Sequence, residues 1–449
     1  MNPRTLLSIV VCALAARFGN QLWIALGDLP LLVEDASYYW DLGRWIPESG
    51  WAYLNRGQPG APFPEVERMP LYPYFLAIVT TLFGPHLQAV LAVQAALDAA
   101  ACVMIGLLAA RWSAGAGLIA GLLAAFSPIL VIHSGMILTE TLFLTLFTGM
   151  LLLALRFLER PTAGAAGGAG LLLGAATLAR SVTAPMIGAM TVAAFAVAQA
   201  RERRWLKSAG CAALLFAAAC VAISPLLTRN FTELGAASLS AQSGPHLLLW
   251  VVPLVKQAET GRPFSEISAE MNDKIRARLD ARGVSSESTN LLKRNAEFRA
   301  LALEELRTVS PVAFVKAWGA AAALNLFAPS ALLHPGVRSL RAEAFYDIEA
   351  DGAIQRAIAW TVRSGPAFSA VVVVGGTATA IANLLALVGL VMLARRHPWT
   401  ALFAGLCVLY FMLANGPVLS PKYRLPMEPV LLALMALPID AWIRRRREP

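Results

Sequence analysis

The chain has 449 residues, of which 57% are apolar and only 14% are charged, against about 25% charged in an average soluble domain. The apolar residues fall in runs of about 17–25, the length that crosses a hydrocarbon core of roughly 30 Å. This composition excludes a soluble enzyme, a disordered chain and a disulfide scaffold. The net charge of +9 comes from short basic clusters between apolar runs, the pattern of the positive-inside rule, so a nucleic-acid partner is not expected.

The apolar runs predict ten membrane-spanning helices with both termini in the cytoplasm. Two further apolar stretches, 70–84 and 312–333, are predicted to lie in or dip into the outer interface, because making both of them span would move three basic loops outward. The first run lacks a small-residue cleavage site and is predicted to be retained as the first helix. The ten spans are predicted at 6–27, 87–110, 115–133, 138–157, 164–180, 183–199, 208–226, 367–393, 398–415 and 425–443.

This topology divides the chain into three parts. Residues 1–228 form an N-terminal transmembrane module whose first outer loop is 28–86, residues 229–366 form an extracytoplasmic or interfacial helical region, and residues 367–449 supply the C-terminal transmembrane helices. In the middle part, apolar residues recur every fourth position from Ile267 to Leu279, and Gly283 follows as a helix stop. The predicted fold is an all-α polytopic membrane protein with an extracytoplasmic helical cap, in which a second amphipathic helix precedes Pro311.

Two adjacent acids, Glu34 and Asp35, follow the first predicted helix directly, and aromatic residues including Tyr38 and Tyr39 come next. Acids at a membrane exit are commonly just solvated. The functional alternative is a general base held at the membrane surface beside aromatic side chains. The pattern alone leaves both interpretations open.

A set of cations lies at predicted outer helix ends, against the positive-inside bias. Each one alone is explained by a side chain that extends to the interface. As a set they indicate binding of an anionic lipid phosphate. The members are Arg68, Arg180, Arg229, Lys422 and Arg424.

Three further polar residues have less specific patterns. Glu140 lies at the outer start of a helix, where the helix dipole favours an acid. Asp98 lies within a predicted span, and the sequence shows no partner for it. His246 has no metal-ligand spacing around it, so a metal site is not indicated. The chain also lacks a phosphate-binding loop and a GxSxG elbow, which argues against ATP-driven transport and serine hydrolysis.

These motifs, in this order, resemble those of the GT-C class of integral-membrane glycosyltransferases. More narrowly, the chain is similar to the group that contains bacterial protein O-mannosyltransferase-like enzymes, of the glycosyltransferase family 39 type, and lipid A aminoarabinose transferases. The resemblance extends over about residues 6–445. Its motifs are Glu34-Asp35-Ala36-Ser37-Tyr38-Tyr39, Arg68-Met69-Pro70-Leu71-Tyr72-Pro73, Thr139-Glu140, Leu178-Ala179-Arg180, Pro225 with Arg229-Asn230, and Lys422-Tyr423-Arg424-Leu425-Pro426.

The resemblance implies a sugar donor carried on a polyprenyl phosphate, a lipid, glycan or protein acceptor, and inverting transfer at the extracytoplasmic face of a bacterial inner membrane. The first-loop acid is then the base. Phosphate is a good leaving group, so one carboxylate suffices where an inverting glycosidase needs two. No cofactor is required, and a divalent metal is compatible but not indicated. The implied donor-phosphate residues are Arg180, Arg229, Lys422, Tyr423 and Arg424, and the implied pocket residues are Tyr38, Tyr39, Arg68, Tyr72, Glu140, Asn230 and His246.

Two departures from the family pattern matter. Related proteins often have Asp before Glu in the first motif; Asp35 is favoured as the base because the spacing to the Tyr pair is then kept, and Glu34 remains a rival. Lys422 stands where an arginine is usual and lacks the bidentate fork. The alternatives are a transporter or flippase of a lipid-linked glycan, a surface-polysaccharide polymerase or ligase, and a structural membrane subunit.

Overall fold

The computed structural model describes residues 1–33, 35–57, 61–284, 291–350 and 352–446, and these residues are mostly helical. In the N-terminal part a two-residue antiparallel ladder, β1 Leu54–Asn55 with β2 Phe63–Pro64, interrupts the helices, and a 3₁₀ turn spans Ser181–Thr183. The helices there are α1 Pro3–Leu26, α2 Ala36–Glu48, α3 Leu71–Phe83, α4 Leu87–Ala110, α5 Ala114–Ala125, α6 Pro128–Ser134, α7 Glu140–Glu159, α8 Ala163–Ala179, α9 Ala184–Glu202 and α10 Trp205–Leu234.

The remaining helices include several short turns between long elements. A π-helical turn spans Leu247–Val251, and 3₁₀ turns span Ser330–Leu333, Phe345–Asp347 and Pro421–Met427. The α-helices are α11 Ser243–His246, α12 Val252–Thr260, α13 Phe264–Ala281, α14 Leu291–Arg307, α15 Pro311–Phe327, α16 Pro335–Arg338, α17 Ala353–Arg363, α18 Pro366–Arg396, α19 Pro398–Ala414 and α20 Glu428–Arg445.

Membrane-spanning capacity is spread along the whole chain. In the described residues, seven helical segments are long and apolar enough to cross a bilayer, or up to nine if each of two bent pairs is one span. Three shorter apolar helices, α3, α8 and α19, come in addition. The predicted fold class, an all-α polytopic membrane protein with about ten spans, is confirmed.

The predicted span at 115–133 is not one straight helix. It is divided into α5 and α6, whose axes differ by 51°. The break lies at Ser127, which is extended (φ −64°, ψ 119°) and precedes Pro128. Proline disfavours the helical region for the residue before it and has no N–H to donate, so the first helix ends at Ala125 and a new one begins at Pro128.

α20 is the most buried of the long helices and forms the centre of the bundle. Every residue from Glu428 to Leu437 is buried, and the helix packs on α4, α5 and α18. Elsewhere, small residues permit close packing: a Cβ at Gly174 of α8 would lie 2.6 Å from the carbonyl oxygen of Ala219 in α10. Close backbone approach of this kind is typical of helices that associate in a bilayer.

The isolated acid Asp98 has a partner that the sequence did not reveal. The Arg17 guanidinium of α1 donates to its carboxylate over 2.6 Å (Nε to Oδ2), and both side chains are buried. Arg17 also donates to the carbonyl oxygens of Ala124 and Ala125. The two ionisable residues inside apolar helices therefore neutralise each other and join α1 to α4 and α5.

The amphipathic helices of the middle part form as predicted. Ile267, Met271, Ile275 and Leu279 are the buried residues of α13, and Gly283 follows with φ 64°. Met271, Ile275 and Leu279 pack against Phe298 and its apolar neighbours on α14. Ion pairs border this contact, as between the side chains of Arg278 and Glu297 at 2.9 Å (Nε to Oε2).

Candidate active site

A cavity of about 200 Å³ lies where the residues after α1, the start of α7, the end of α8 and the turn before α20 converge. It brings together six of the residues predicted for the site, although they are far apart in the sequence. The lining residues are Asp35, Tyr39, Arg68, Met69, Leu138, Thr139, Glu140, Ala179, Arg180, Ser181, Val182, Gln242 and Lys422.

Asp35 is the accessible acid of this cavity. It lies immediately before α2, and its side chain is 53% exposed. Its carboxylate accepts a hydrogen bond from Arg68 at 3.0 Å (Nη2 to Oδ1). The Arg68 guanidinium in turn lies over the rings of Tyr38 and Tyr39, at 5.3 and 6.0 Å from their centroids. These contacts orient the carboxylate and leave it open to an incoming hydroxyl group.

Arg68 has an unused donor. Its Nε is buried and has no hydrogen-bond partner among the described residues. A buried N–H without an acceptor costs free energy, so a site of this kind is suited to an anionic or polar ligand that supplies one.

The second acid of the cavity, Glu140, is buried and forms an ion pair with Arg180. Glu140 begins α7 and Arg180 follows the end of α8, so each charge complements the dipole of its own helix. The Arg180 guanidinium also lies 5.8 Å from the centroid of the Phe143 ring. With Lys422 and Arg68, the lining has three cations against two carboxylates, which favours an anion.

Glu65, which the sequence analysis did not select, holds the loop that carries Arg68. Its carboxylate is fully buried and accepts from the Tyr38 hydroxyl at 2.5 Å and from Asn55 Nδ2 at 2.9 Å. The other oxygen accepts from the backbone N–H groups of Glu67 at 2.6 Å and Arg68 at 3.0 Å. Burial, with the nearby Glu65 charge, raises the pKa of Tyr38 far above its usual value, so the hydroxyl stays a donor.

Arg229 and Asn230 do not line the cavity. The Arg229 guanidinium donates to the carbonyl oxygens of Tyr53 at 3.0 Å and Glu65 at 2.6 Å, and its Nε donates to Asn230 Oδ1 at 3.0 Å. Asn230 donates to the carbonyl oxygen of Ser238 at 2.6 Å. These two residues join α10 to the first outer loop and support the segment that bears Arg68.

Arg424 also lies outside the cavity. Its Nε is 2.6 Å from Glu428 Oε1, both side chains are buried, and a second nitrogen donates to the carbonyl oxygen of Leu326 at 3.3 Å. The neighbouring Tyr423 accepts at its carbonyl oxygen from Asn415 at 3.0 Å. These contacts fix the 3₁₀ turn that presents Lys422 to the cavity.

The other predicted residues have different positions. The Tyr72 hydroxyl donates to Gln94 at 2.6 Å, and its ring packs edge-on against Tyr39, so it supports the cavity wall from behind. His246 ends α11 and does not line the cavity. Glu34, the rival base, lies outside the described residues.

Gln242 lines the cavity and was not predicted. It is a neutral amide in the polar segment between α10 and α11, and nothing in its local pattern distinguishes it from a loop residue. No group of three or more His, Cys, Asp and Glu side chains that could hold a metal ion occurs in the part of the chain that the structure describes.

Comparison with known proteins gives a match to one family model over part of the chain and a likeness to solved structures. Residues 64–228 match the model of the family described as dolichyl-phosphate-mannose-protein mannosyltransferase. This segment includes Arg68, Glu140 and Arg180 and excludes Asp35 and Lys422. No curated protein matches the sequence.

Among solved structures, the chain is similar to the archaeal oligosaccharyltransferase AglB from Archaeoglobus fulgidus, in complex with an inhibitory peptide and a dolichol-phosphate, at 14% identity and a TM-score of 0.54. The match covers 99% of this chain and 51% of AglB, so the chain spans about half the length of that protein. ArnT from Cupriavidus metallidurans bound to undecaprenyl phosphate matches at 15% identity and a TM-score of 0.41, over 97% of this chain and 78% of ArnT. The apo state of ArnT matches at 17% identity and a TM-score of 0.38, over 91% of this chain and 73% of ArnT.

The likeness to AglB shows the fold. With the family match, it confirms the predicted resemblance to GT-C membrane glycosyltransferases.

Proposed function

We propose that the chain is an inverting glycosyltransferase that moves a sugar from a polyprenyl-phosphate donor to an acceptor at the extracytoplasmic face of a bacterial inner membrane. The observation that carries the proposal is the cavity in which one accessible carboxylate, Asp35, meets Arg68, Arg180 and Lys422. AglB, whose fold this chain shares, was solved with a dolichol-phosphate, and the matching family is described by a dolichyl-phosphate-linked donor.

In this mechanism Asp35 takes the proton of the acceptor hydroxyl. The acceptor oxygen forms the new bond to the anomeric carbon while the bond from that carbon to the phosphate oxygen breaks on the opposite face, which inverts the configuration. The electron pair leaves with the phosphate. Arg180 and Lys422 stabilise the charge that develops there.

Glu140 acts in this proposal as a positioning residue. Its ion pair with Arg180 holds the guanidinium at the cavity wall and limits the number of conformations that the long side chain can adopt. A fixed cation is more effective than a mobile one, because it needs no reorganisation when charge develops on the leaving group.

The test uses purified protein in nanodiscs with a panel of undecaprenyl-phosphate sugars and measures release of undecaprenyl phosphate. Asp35→Asn keeps an acceptor for Arg68 and removes the base, so we expect a loss of about 10²–10⁴-fold with the active donor. Asp41→Asn is the matched control, because it removes a carboxylate from α2 that does not line the cavity. Full activity of Asp35→Asn contradicts Asp35 as the base.

The same panel separates the alternatives. Release from one donor identifies the sugar, whereas donor that is bound but remains uncleaved in the presence of acceptors supports a transporter. Lys422→Arg restores the more usual residue and keeps the charge, so we expect it to retain activity, and we expect Lys422→Ala to raise the KM for the donor.

A further inference from the structure

A second and larger cavity, of about 620 Å³, lies at the opposite end of α20 from the candidate active site. α20 has 18 residues, so the two ends are roughly 27 Å apart. The cavity is bounded by α18, α20 and the turn between α4 and α5. Its lining residues are Trp112, Ser113, Val388, Met392, Leu393, Arg395, Arg396, His397, Leu437, Pro438, Ala441, Trp442, Arg444 and Arg445.

The mouth of this cavity carries more positive charge than its acids neutralise. Arg444 is paired with Asp440 and donates to the Ser113 hydroxyl at 2.5 Å. Arg395, Arg396 and Arg445 are exposed, and within the described ranges none of them has an acidic partner within ion-pair distance. Among the described residues, three guanidinium groups from two helices therefore lack an acidic partner at this opening.

The floor of the same cavity is apolar. On α18, Val388 lies eight residues before Arg396, and on α20, Leu437 lies eight residues before Arg445, which places each about 12 Å deeper along its helix. Trp442 stands near the mouth, where aromatic rings are favoured at the headgroup level. A charged mouth above an apolar floor matches the shape and polarity of an anionic lipid.

We propose that this cavity binds an anionic membrane phospholipid, with the headgroup phosphate on Arg395, Arg396 and Arg445 and the acyl chains along the apolar floor. The basic residues of the turns lie at this end of the bundle, which is the end predicted to face the cytoplasm, where anionic lipids attract basic segments. The site is independent of the proposed transfer reaction, because its residues and those of the active-site cavity do not overlap.

The experiment titrates the full-length protein in detergent with phosphatidylglycerol or cardiolipin and counts bound lipid by native mass spectrometry, with phosphatidylcholine as the zwitterionic control. Each arginine near an anionic lipid contributes roughly fivefold to affinity. We therefore expect the triple variant R395Q/R396Q/R445Q to weaken phosphatidylglycerol binding by about 100-fold and to leave phosphatidylcholine binding unchanged.

Two variants test the position of the site. R201Q/R203Q/R204Q removes the same number of charges from the end of α9 and the turn before α10, outside the cavity, and is expected to keep wild-type affinity. Met392→Trp keeps every charge and fills the floor, and is expected to weaken binding if the acyl chains lie there. Equal losses in both triple variants, or equal binding of phosphatidylglycerol and phosphatidylcholine to the wild type, overturn the proposal.

A polyprenyl phosphate offers the same phosphate chemistry, so a competition arm distinguishes the two sources. Undecaprenyl phosphate is added to Lys422→Gln, whose active-site cavity is impaired, in the presence of bound phosphatidylglycerol. Retention of phosphatidylglycerol supports the phospholipid. Its displacement by equimolar undecaprenyl phosphate, with sensitivity to R395Q/R396Q/R445Q, assigns the cavity to the carrier lipid and overturns the phospholipid assignment.

Discussion

Glu65→Ala is expected to destabilise the first outer loop strongly, although Glu65 does not line the cavity. The substitution removes an acceptor from four donors that the structure places around one buried carboxylate. Asn55 keeps the 2.5 Å hydrogen bond that it donates to the Tyr38 hydroxyl oxygen. Four donors still lose their acceptor: the Tyr38 O–H, one N–H of Asn55 and the backbone N–H groups of residues 67 and 68.

The magnitude follows from these four donors left without an acceptor. A buried donor without an acceptor costs about 1–3 kcal/mol, and water that enters the vacated space recovers part of this, so we expect a loss of about 3–5 kcal/mol. Glu65→Gln keeps one acceptor oxygen and turns an NH₂ group toward the remaining donors, so its loss is expected to be roughly half as large. In Glu65→Ala the loop no longer holds Arg68 in its fixed position. The rate at which the enzyme uses the sugar donor is therefore expected to fall as well.

The assay is thermal unfolding in a fixed detergent, monitored by circular dichroism. The release of undecaprenyl phosphate is measured in addition, at temperatures below the unfolding transition. Glu48→Ala is the control, because Glu48 pairs with Arg56 on the exposed end of α2 and such pairs contribute less than about 1 kcal/mol. A Glu65→Ala protein as stable as Glu48→Ala would refute the reasoning from the hydrogen bonds.

Three further predictions concern other charged or titrating groups. Glu140→Gln is expected to lower kcat more than it raises the KM for the donor, because the Arg180 guanidinium loses its ion-pair partner and becomes mobile but stays available to bind the phosphate. The reverse pattern in steady-state kinetics contradicts a positioning role. Arg17→Leu leaves Asp98 buried and unpaired and is expected to cost about 3–5 kcal/mol, whereas the double substitution to leucine restores most of the thermal stability. Burial and a nearby carboxylate raise the pKa of Tyr38 above 10, so the contribution of its hydroxyl to the free energy of unfolding is complete below pH 10 and is lost as the pH rises further. Tyr38→Phe is therefore expected to lose less stability than the wild type between pH 10 and 11.

The fold was largely predictable because membrane insertion depends on a local property, the length and polarity of each run. The helix break at Pro128 could not be predicted from the length and polarity of an apolar run, because the run continues across the break. The break comes from the backbone restriction that proline imposes on Ser127. The ion pair between Arg17 and Asp98 was hidden for a different reason. Its members lie 81 residues apart, and only the packing of α1 on α4 brings them together.

The candidate site was predictable in part. Asp35, Arg68 and Arg180 have charge at helix ends, which a sequence displays directly. Glu65 could not be selected in this way, because its importance lies in four donors from three segments that converge only after the loop folds. Gln242 carries no charge and has no pattern that separates it from the loop around it.

The cations at predicted outer helix ends looked equivalent in sequence and divide into two groups in the structure. Arg229 satisfies its donors with the carbonyl oxygens of the first loop, and Arg424 is neutralised by Glu428. Arg68 and Arg180 line the cavity, and Arg68 retains a buried nitrogen without an acceptor. A cation on the disfavoured side of a membrane needs a compensating group, and the protein supplies one in both groups, since Asp35 pairs with Arg68 and Glu140 pairs with Arg180. The second group differs because its guanidinium groups line the cavity. The proposed donor phosphate therefore lies against Arg68, Arg180 and Lys422, with Arg229 and Arg424 as supports of the elements that present them.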